Sequence, residues 1–210
     1  MAAGPAVNVV NGQADPLAAR LQSGGLPIVP VQAVSAGEVL LSVTVSPAGA
    51  VAAIDVLRTT PPFTEAVVTT VRAWRFAPAQ DEQRKPVISR VLVGAVFGSP
   101  SLRVPTVGEP PKDVAPAATA LPMPLTTPIP QYPPNARTAG TVMIETLVAP
   151  SGKVVAVTAI RSNPPFDEPA MEAARGWVFR PPQGPGLPPN TYAYLIFAFR
   201  QPVVGPSPAP

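Results

Sequence analysis

The side chains that could do acid–base chemistry in this chain are few, and none forms a catalytic pattern. There are 12 aspartates and glutamates and no histidine or cysteine. Two adjacent pairs, Asp81-Glu82 and Asp167-Glu168, are the candidates for a general acid and a general base. Adjacent side chains in a loop or at a helix start point apart, and Asp167 is explained as a helix cap. Because the chain has no set of nucleophile, base and orienting group and no phosphate-binding loop, we predict no enzymatic activity and no catalytic residue.

The same residue counts exclude further classes of function. Without histidine or cysteine the chain lacks most zinc ligands and cannot attach a c-type haem, so we predict no metal site and no cofactor. The net charge is only +3 and the basic residues are dispersed, whereas a nucleic-acid-binding face is usually a basic cluster. We therefore predict no nucleic-acid partner. The longest apolar runs, Val91–Phe97 and Ala193–Phe199, are far shorter than the about 20 residues of a membrane-spanning helix, so we expect no direct membrane span.

The elements that must position any functional residue occur twice. A shift of 103 positions places Val39–Pro78 on Val142–Pro181 without a gap. The matching positions include a turn glycine, a Pro-Pro-Phe triplet and a Trp-x-Phe-x-Pro run. They are Gly49, Pro61, Pro62, Phe63, Trp74, Phe76 and Pro78 in the first copy, and Gly152, Pro164, Pro165, Phe166, Trp177, Phe179 and Pro181 in the second. A period of this length indicates two copies of one small domain and is too long for a solenoid.

Apolar periodicity predicts the same elements in each copy. Alternation indicates a β-hairpin, helical spacing indicates one amphipathic helix, and a further apolar run indicates a third strand. In the first copy these elements are strands Val39–Val45 and Val51–Arg58, a helix over Thr64–Arg75 and a strand Val87–Phe97. In the second they are strands Val142–Val148 and Val154–Ile160, a helix over Asp167–Trp177 and a strand Tyr192–Phe199. Thr64 and Asp167 are the predicted helix N-caps.

The predicted fold class is α+β, with two tandem β-β-α-β domains. A helix joins the second strand to the third, so a right-handed crossover should make these two strands parallel, with the first strand between them. Each domain is then a three-stranded, antiparallel-type sheet with one helix on one face. In this arrangement the third strand is left as an open edge.

Proline-rich stretches predict the domain boundaries. The chain has 33 prolines, about three times the usual share of roughly 5%. We predict five segments: an extended leader (1–36), a first domain (37–99), a Pro-rich linker (100–129), a second domain (130–201) and a Pro-rich tail (202–210).

The motifs around the helix resemble those of the TonB C-terminal domain family. That family has a Pro-x-Gly hairpin turn, a helix, and a Trp-Arg-Phe-x-Pro-Ala signature before the third strand. The first copy fits with Pro47-Ala48-Gly49 and Trp74-Arg75-Phe76-Ala77-Pro78-Ala79. The second copy fits with Pro150-Ser151-Gly152 and Trp177-Val178-Phe179-Arg180-Pro181, and Pro130-Gln131-Tyr132-Pro133 looks like the family's lead-in.

The resemblance implies a periplasmic, non-enzymatic domain whose sheet edge accepts a short receptor peptide as an added strand. It maps the receptive edges onto the third strands, where the partner-binding residues would be Val87, Ser89, Val91, Val93, Tyr192, Tyr194 and Ile196. The structural signature would be Gly49, Trp74, Phe76, Pro78, Gly152, Trp177, Phe179 and Pro181. The helical spacing of the two tryptophans favours a position in the core. The alternative is that they mark a ligand site.

In the family that this chain resembles, the domain stands at the end of an energy transducer. Several features of this sequence differ from those of such a transducer. We expect no N-terminal membrane helix, two domains stand where one is usual, and only 13% of residues are charged. We therefore predict a non-catalytic accessory subunit that docks on a larger membrane-associated complex, such as a respiratory or photosynthetic one. The alternatives are a soluble TonB-type protein that binds receptor peptides by strand addition, and an envelope scaffold or peptidoglycan-associated module. The family favours the periplasmic face, whereas the lack of a visible signal peptide at Met1–Val10 is compatible with the cytoplasmic face.

Overall fold

A computed structural model describes residues 8–9, 17–31, 33, 35–98, 121–180 and 190–202. The leader, linker and tail are therefore only partly described, and Pro181 of the predicted signature lies outside the described residues. The strands are β1 (Asn8–Val9), β2 (Arg20–Ser23), β3 (Gly37–Val45), β4 (Val51–Arg58), β5 (Arg75–Ala77), β6 (Ala79–Gln80), β7 (Pro86–Val87), β8 (Ser89–Phe97), β9 (Met123–Thr126), β10 (Gly140–Val148), β11 (Val154–Arg161), β12 (Val178–Arg180) and β13 (Thr191–Phe199). The helices are α1 (Phe63–Arg72) and α2 (Asp167–Arg175).

Each half has the predicted order of hairpin, helix and third strand. Gly49 and Gly152 make the hairpin turns with φ of 77° and 82°, a region of backbone conformation that favours glycine. The α+β class is confirmed. In both halves the first strand lies between the second and third, and the second and third strands are parallel, as the crossover rule predicts.

The two predicted N-caps have a different role. Neither helix has a side-chain cap, because the N-cap residues are Pro62 and Phe166, whose side chains have no hydrogen-bond acceptor. The Thr64 hydroxyl instead accepts the backbone N–H of Thr60 at 2.9 Å, and the Asp167 carboxylate accepts that of Asn163 at 2.7 Å. Both side chains thus stabilise the turn that leads into the helix, and the N-cap prediction is wrong.

The predicted separate sheets are one continuous sheet. Seven strands follow each other in the order β1-β11-β10-β13-β8-β3-β4. At the centre, β8 and β13 pair in parallel, from Leu92 opposite Ala193 to Phe97 opposite Ala198. The prediction that the third strands are open edges is therefore wrong. Nearly every residue of both strands is buried. The backbone N–H and C=O groups of a strand that is covered on both faces cannot bond to water, so such a strand needs a neighbouring strand along each of its two edges.

The two helices cover opposite faces of this sheet. Val67 and Val71 of α1 share a buried cluster with Tyr194 and Ile196 of β13. Residues Leu195 and Phe197, which alternate with them, pack instead in the cluster that contains Ala170 and Ala174 of α2. Successive strand residues face opposite sides, so the halves are related by a pseudo-twofold axis that runs along the central strands. Each half therefore helps to bury the other.

A short strand precedes each hairpin, and the two short strands occupy equivalent positions in the repeat. Strand β2 pairs with β5 just after α1, and β9 pairs with β12 just after α2. We call Leu17–Val31 and Leu121–Asn135 the two lead-in segments. The same shift of 103 positions that aligns the domains relates β2 to β9, so the repeated unit begins before the predicted domain starts.

Candidate protein interaction surfaces

Six of the seven residues predicted to bind a partner lie in β8 and β13, the central strands of the sheet. Val91 and Val93 are buried in β8, and Tyr192, Tyr194 and Ile196 are buried in β13. The remaining two are half-buried: Ser89 pairs with Val45, and Val87 pairs with Ala79 in a small two-stranded sheet. The β8–β13 pairing uses the backbone groups that an added peptide would need.

The Tyr194 hydroxyl joins the first lead-in to the second half. It accepts the backbone N–H of Leu21 at 2.7 Å and donates to the Glu145 carboxylate at 3.2 Å. Burial, and next the charge of Glu145, raise the pKa of Tyr194 above its ordinary value, so the hydroxyl keeps its proton. Arg20 donates to both oxygens of Glu145, at 2.9 and 3.2 Å, and its guanidinium carbon lies 5.5 Å from the centre of the Tyr192 ring. We call Arg20, Glu145 and Tyr194 the polar clasp.

The pseudo-equivalent position in the other half has no such hydrogen bonds: the buried Ser42 hydroxyl has no partner among the described residues. In the sheet register, the pair Glu145 and Tyr194 corresponds to Ser42 and Leu92. The lead-in residue equivalent to Leu21 is Pro124, which has no N–H to donate. Leucine thus takes the place of tyrosine in the half where proline takes the place of the N–H donor. Leu92 therefore leaves no lead-in N–H at Pro124 without an acceptor.

Arginines at the ends of the hairpins make two further bridges to the lead-ins. Arg161 donates twice to the carbonyl oxygen of Gly24, at 3.1 and 3.2 Å. Its counterpart Arg58 forms an ion pair with Glu38, whose carboxylate accepts the Thr127 hydroxyl at 3.3 Å. Burial raises the pKa of Glu38 above its ordinary value, and the Arg58 charge opposes that rise only in part.

We expect the Glu38→Gln variant to gain stability relative to the parent chain as pH rises. The native state holds the Glu38 proton more tightly than the unfolded chain does. The stabilisation that this bound proton gives is therefore fully present below the ordinary pKa of a glutamate. It is lost as pH rises through the raised pKa of Glu38 in the native state. Urea unfolding of both chains between about pH 4 and pH 7 measures this difference. A difference that stays constant or shrinks with pH would contradict the prediction.

The candidate acid–base pairs have local structural roles. Asp81 accepts the backbone N–H groups of Gln83 and Lys85 at 3.0 and 2.8 Å, which closes a tight turn. Glu168 forms an ion pair with Arg175 at 3.1 Å, and Asp167 stabilises the turn before α2. Within the described ranges, no three histidine, cysteine, aspartate or glutamate side chains come together as metal ligands would. No helix in the described part of the chain is long and apolar enough to cross a membrane.

The two signature tryptophans are core residues. Trp74 and Trp177 are at most 1% exposed. The Trp74 indole N–H donates to the Gly25 carbonyl at 3.1 Å, whereas the buried indole N–H of Trp177 has no acceptor among the described residues. Phe76 and Phe179 are buried beside them, and Pro78 is half-buried.

The second lead-in borders a groove that sequence reasoning missed. The groove has a volume of about 580 Å³ and lies between this segment and α2. Its wall is largely proline, with the Tyr132 ring and the Glu172 carboxylate as the main other features. The Pro-x-Tyr-Pro run was the signal in the sequence, but a lead-in motif alone does not reveal a groove.

Large apolar side chains are exposed mainly on the first half. Ile28 and Val31, in the first lead-in, are 85% and 91% exposed, and Ile88 is 69% exposed. The repeat places Gln131 and Pro134 at the positions of Ile28 and Val31, so the second half lacks these two side chains. Single exposed apolar residues are normal, and the two that occur within four residues here make this segment a candidate contact surface.

The second strand of each hairpin lies on the outer side of its half, and the two ends of the sheet are β4 and the two-residue strand β1. Strand β4 ends the sheet on one side. On the other side, β1 lies antiparallel on β11, with Asn8 opposite Val157 and Val9 opposite Ala156. These edges, and not the third strands, carry the unpaired backbone groups of the described sheet.

Comparison with known proteins identifies a family. The model of the family described as Gram-negative bacterial TonB protein C-terminal matches residues 30–97 and 128–200, one match for each half. No curated protein and no solved structure matches the chain.

Proposed function

Because the chain belongs to the TonB C-terminal family, whose domains are protein-interaction modules, we propose that it is a non-catalytic accessory subunit docked on a larger membrane-associated complex. The parallel pairing of β8 with β13 carries this proposal. It joins two interaction modules into one body and uses the third strands internally. A protein built to capture receptor peptides on those strands would leave them open.

The surface of the first half supports docking on a large partner. Ile28 and Val31 are almost fully exposed, although Val29 between them packs against the core. The lead-in is thus attached to the domain through alternate side chains and presents the others to the outside. Burial of two such side chains contributes roughly 1.5–3 kcal/mol each, which is enough to matter for binding. We place the protein at the periplasmic face, where the domains of this family function.

The test is purification from membranes of the bacterium that encodes the protein, in mild detergent. We expect the tagged chain to migrate with membrane subunits. We also expect the Ile28→Asp/Val31→Asp variant to lose this association while its melting temperature changes little. Gln131→Asp/Pro134→Asp is the matched control, because it introduces the same two charges at the exposed equivalents of Ile28 and Val31. Recovery of the parent chain as a free monomer would contradict the proposal.

A further inference from the structure

Two arginines flank the exposed aliphatic side chains of the first lead-in. Arg161 donates twice to the carbonyl oxygen of Gly24, and Arg200 donates to the carbonyl oxygen of Ser35 at 2.9 Å. Each of the two aliphatic residues is four positions from one of these carbonyl groups, a chain distance of at most about 14 Å. The two positive charges and the apolar pair therefore belong to one stretch of the surface.

A third arginine lies beside the same segment. Arg75 is exposed and stands opposite Ser23 where β5 pairs with β2. Within the described ranges, none of Arg75, Arg161 and Arg200 forms an ion pair with a carboxylate. Their charges are therefore not neutralised by a neighbouring side chain of the described chain, and they attract an anionic partner.

The repeat provides an internal comparison, because the second lead-in packs on the opposite face of the sheet. The repeat and the sheet register place other residue types at the equivalents of Ile28, Val31, Arg75 and Arg200, which are Gln131, Pro134, Val178 and Gly98 in that order. Arg58, the equivalent of Arg161, forms an ion pair with Glu38. At these positions the second face thus has neither the aliphatic pair on its lead-in nor an unpaired arginine.

The combination of features on the first face indicates a lipid surface as the partner. Aliphatic side chains that project from the protein fit the boundary between headgroups and acyl chains, and nearby arginines fit the phosphate groups of anionic lipids. Hot spots of protein interfaces are often centred on an aromatic ring. In the part of the chain that the structure describes, no exposed large apolar side chain is aromatic.

We propose that the first lead-in, together with Arg75, Arg161 and Arg200, binds the surface of a bilayer that contains anionic lipid. Ile28 and Val31 enter the boundary between headgroups and acyl chains, and the guanidinium groups bind lipid phosphates. The sheet itself stays outside the bilayer. The inference rests on the proposed function, since it names the lipid around the membrane complex as the partner of this face.

The test is flotation of the full chain with vesicles of phosphatidylcholine alone and with vesicles that contain about 30% phosphatidylglycerol. We expect the chain to bind the anionic vesicles roughly tenfold or more tightly than the neutral ones, and this binding should weaken as the salt concentration rises. Ile28→Asp/Val31→Asp should lower the affinity for anionic vesicles by roughly tenfold or more. Arg75→Gln should lower it by about fivefold.

Matched variants on the second face separate a lipid contact from a general effect of the substitutions. Arg180→Gln also removes an exposed arginine from the strand that follows a helix, and it should leave vesicle binding unchanged. Gln131→Asp/Pro134→Asp should leave it unchanged as well. Because Arg75 and Arg180 are both exposed, their variants should melt within about 2 °C of the parent chain.

Two outcomes would overturn the inference. One is the absence of binding to anionic vesicles at millimolar lipid. The other is equal binding by the parent chain, Ile28→Asp/Val31→Asp and Arg75→Gln. The vesicles contain no other protein, so their result is independent of the co-purification test. A chain that binds vesicles but is recovered from membranes as a free monomer contradicts the proposed function alone, and a chain that migrates with membrane subunits but ignores vesicles contradicts this inference alone.

Discussion

The Trp177→Ala variant should unfold in a single transition at a temperature lower by on the order of 10 °C. Removing a fully buried tryptophan costs about 3–5 kcal/mol. In a domain of this size, each kcal/mol lowers the melting temperature by about 2–4 °C. The side chain also belongs to both halves: a Cβ on Gly94 in β8 would lie only 3.1 Å from the Trp177 indole. Its loss should therefore weaken the central pairing as well as the second half.

The chain itself supplies the reporter for this experiment. It has two tryptophans, so Trp177→Ala leaves Trp74, in the first half, as the only indole. We expect Trp74 fluorescence and far-ultraviolet circular dichroism to show the same lowered transition, because one sheet unfolds as one unit. An unchanged Trp74 transition would mean that the halves unfold independently. Ile88→Ala removes an exposed apolar side chain and should change the stability by no more than about 0.5 kcal/mol.

The parts of the fold that could be predicted are those that depend on local sequence. Alternating valines define the hairpins, Gly49 and Gly152 define the turns, and helical spacing defines α1 and α2. Even the strand order within each half follows from the length and handedness of the crossover. These features need no knowledge of what a strand meets outside its own half.

The β8–β13 pairing could not be derived in the same way, although a signal was present. Val91–Phe97 and Ala193–Phe199 are continuous apolar runs without alternation. Such runs are typical of strands that are buried on both faces, whereas a strand at an open edge with one solvated face should alternate. The two runs are the longest apolar runs of the chain, although they are far shorter than a membrane-spanning helix. Their continuity was the evidence that the third strands are central.

The polar clasp illustrates a second limit. Arg20 and Glu145 are 125 positions apart, and no local pattern relates them. The repeat does not reveal the contact either. It aligns Glu145 with the uncharged Ser42, so the first copy has no equivalent pair of charges. Only the pseudo-twofold packing, which lays each lead-in across the other half, brings the two side chains together. Contacts between halves are therefore the part of the site that sequence periodicity does not encode.

Removal of the arginine from the clasp should cost more stability than removal of both charges. In the Arg20→Ala variant the Glu145 carboxylate, only 7% exposed, stays buried without its cation. Breaking a fully buried pair costs about 3–5 kcal/mol, and because the Arg20 side chain is 60% exposed we expect about 1–3 kcal/mol here. In the double variant Arg20→Ala/Glu145→Gln no charge is left buried, and the amide still accepts the Tyr194 hydroxyl.

Denaturant unfolding of both single variants and of the double variant measures this difference. We expect Arg20→Ala/Glu145→Gln to recover most of the stability that Arg20→Ala loses. The matched control is Arg175→Ala, whose partner Glu168 is 71% exposed, and this change should cost less than about 1 kcal/mol. If the double variant is destabilised by the sum of the two single effects, the buried charge is not the cause. The clasp would then hold the lead-in through the packing of Arg20 on the Tyr192 ring.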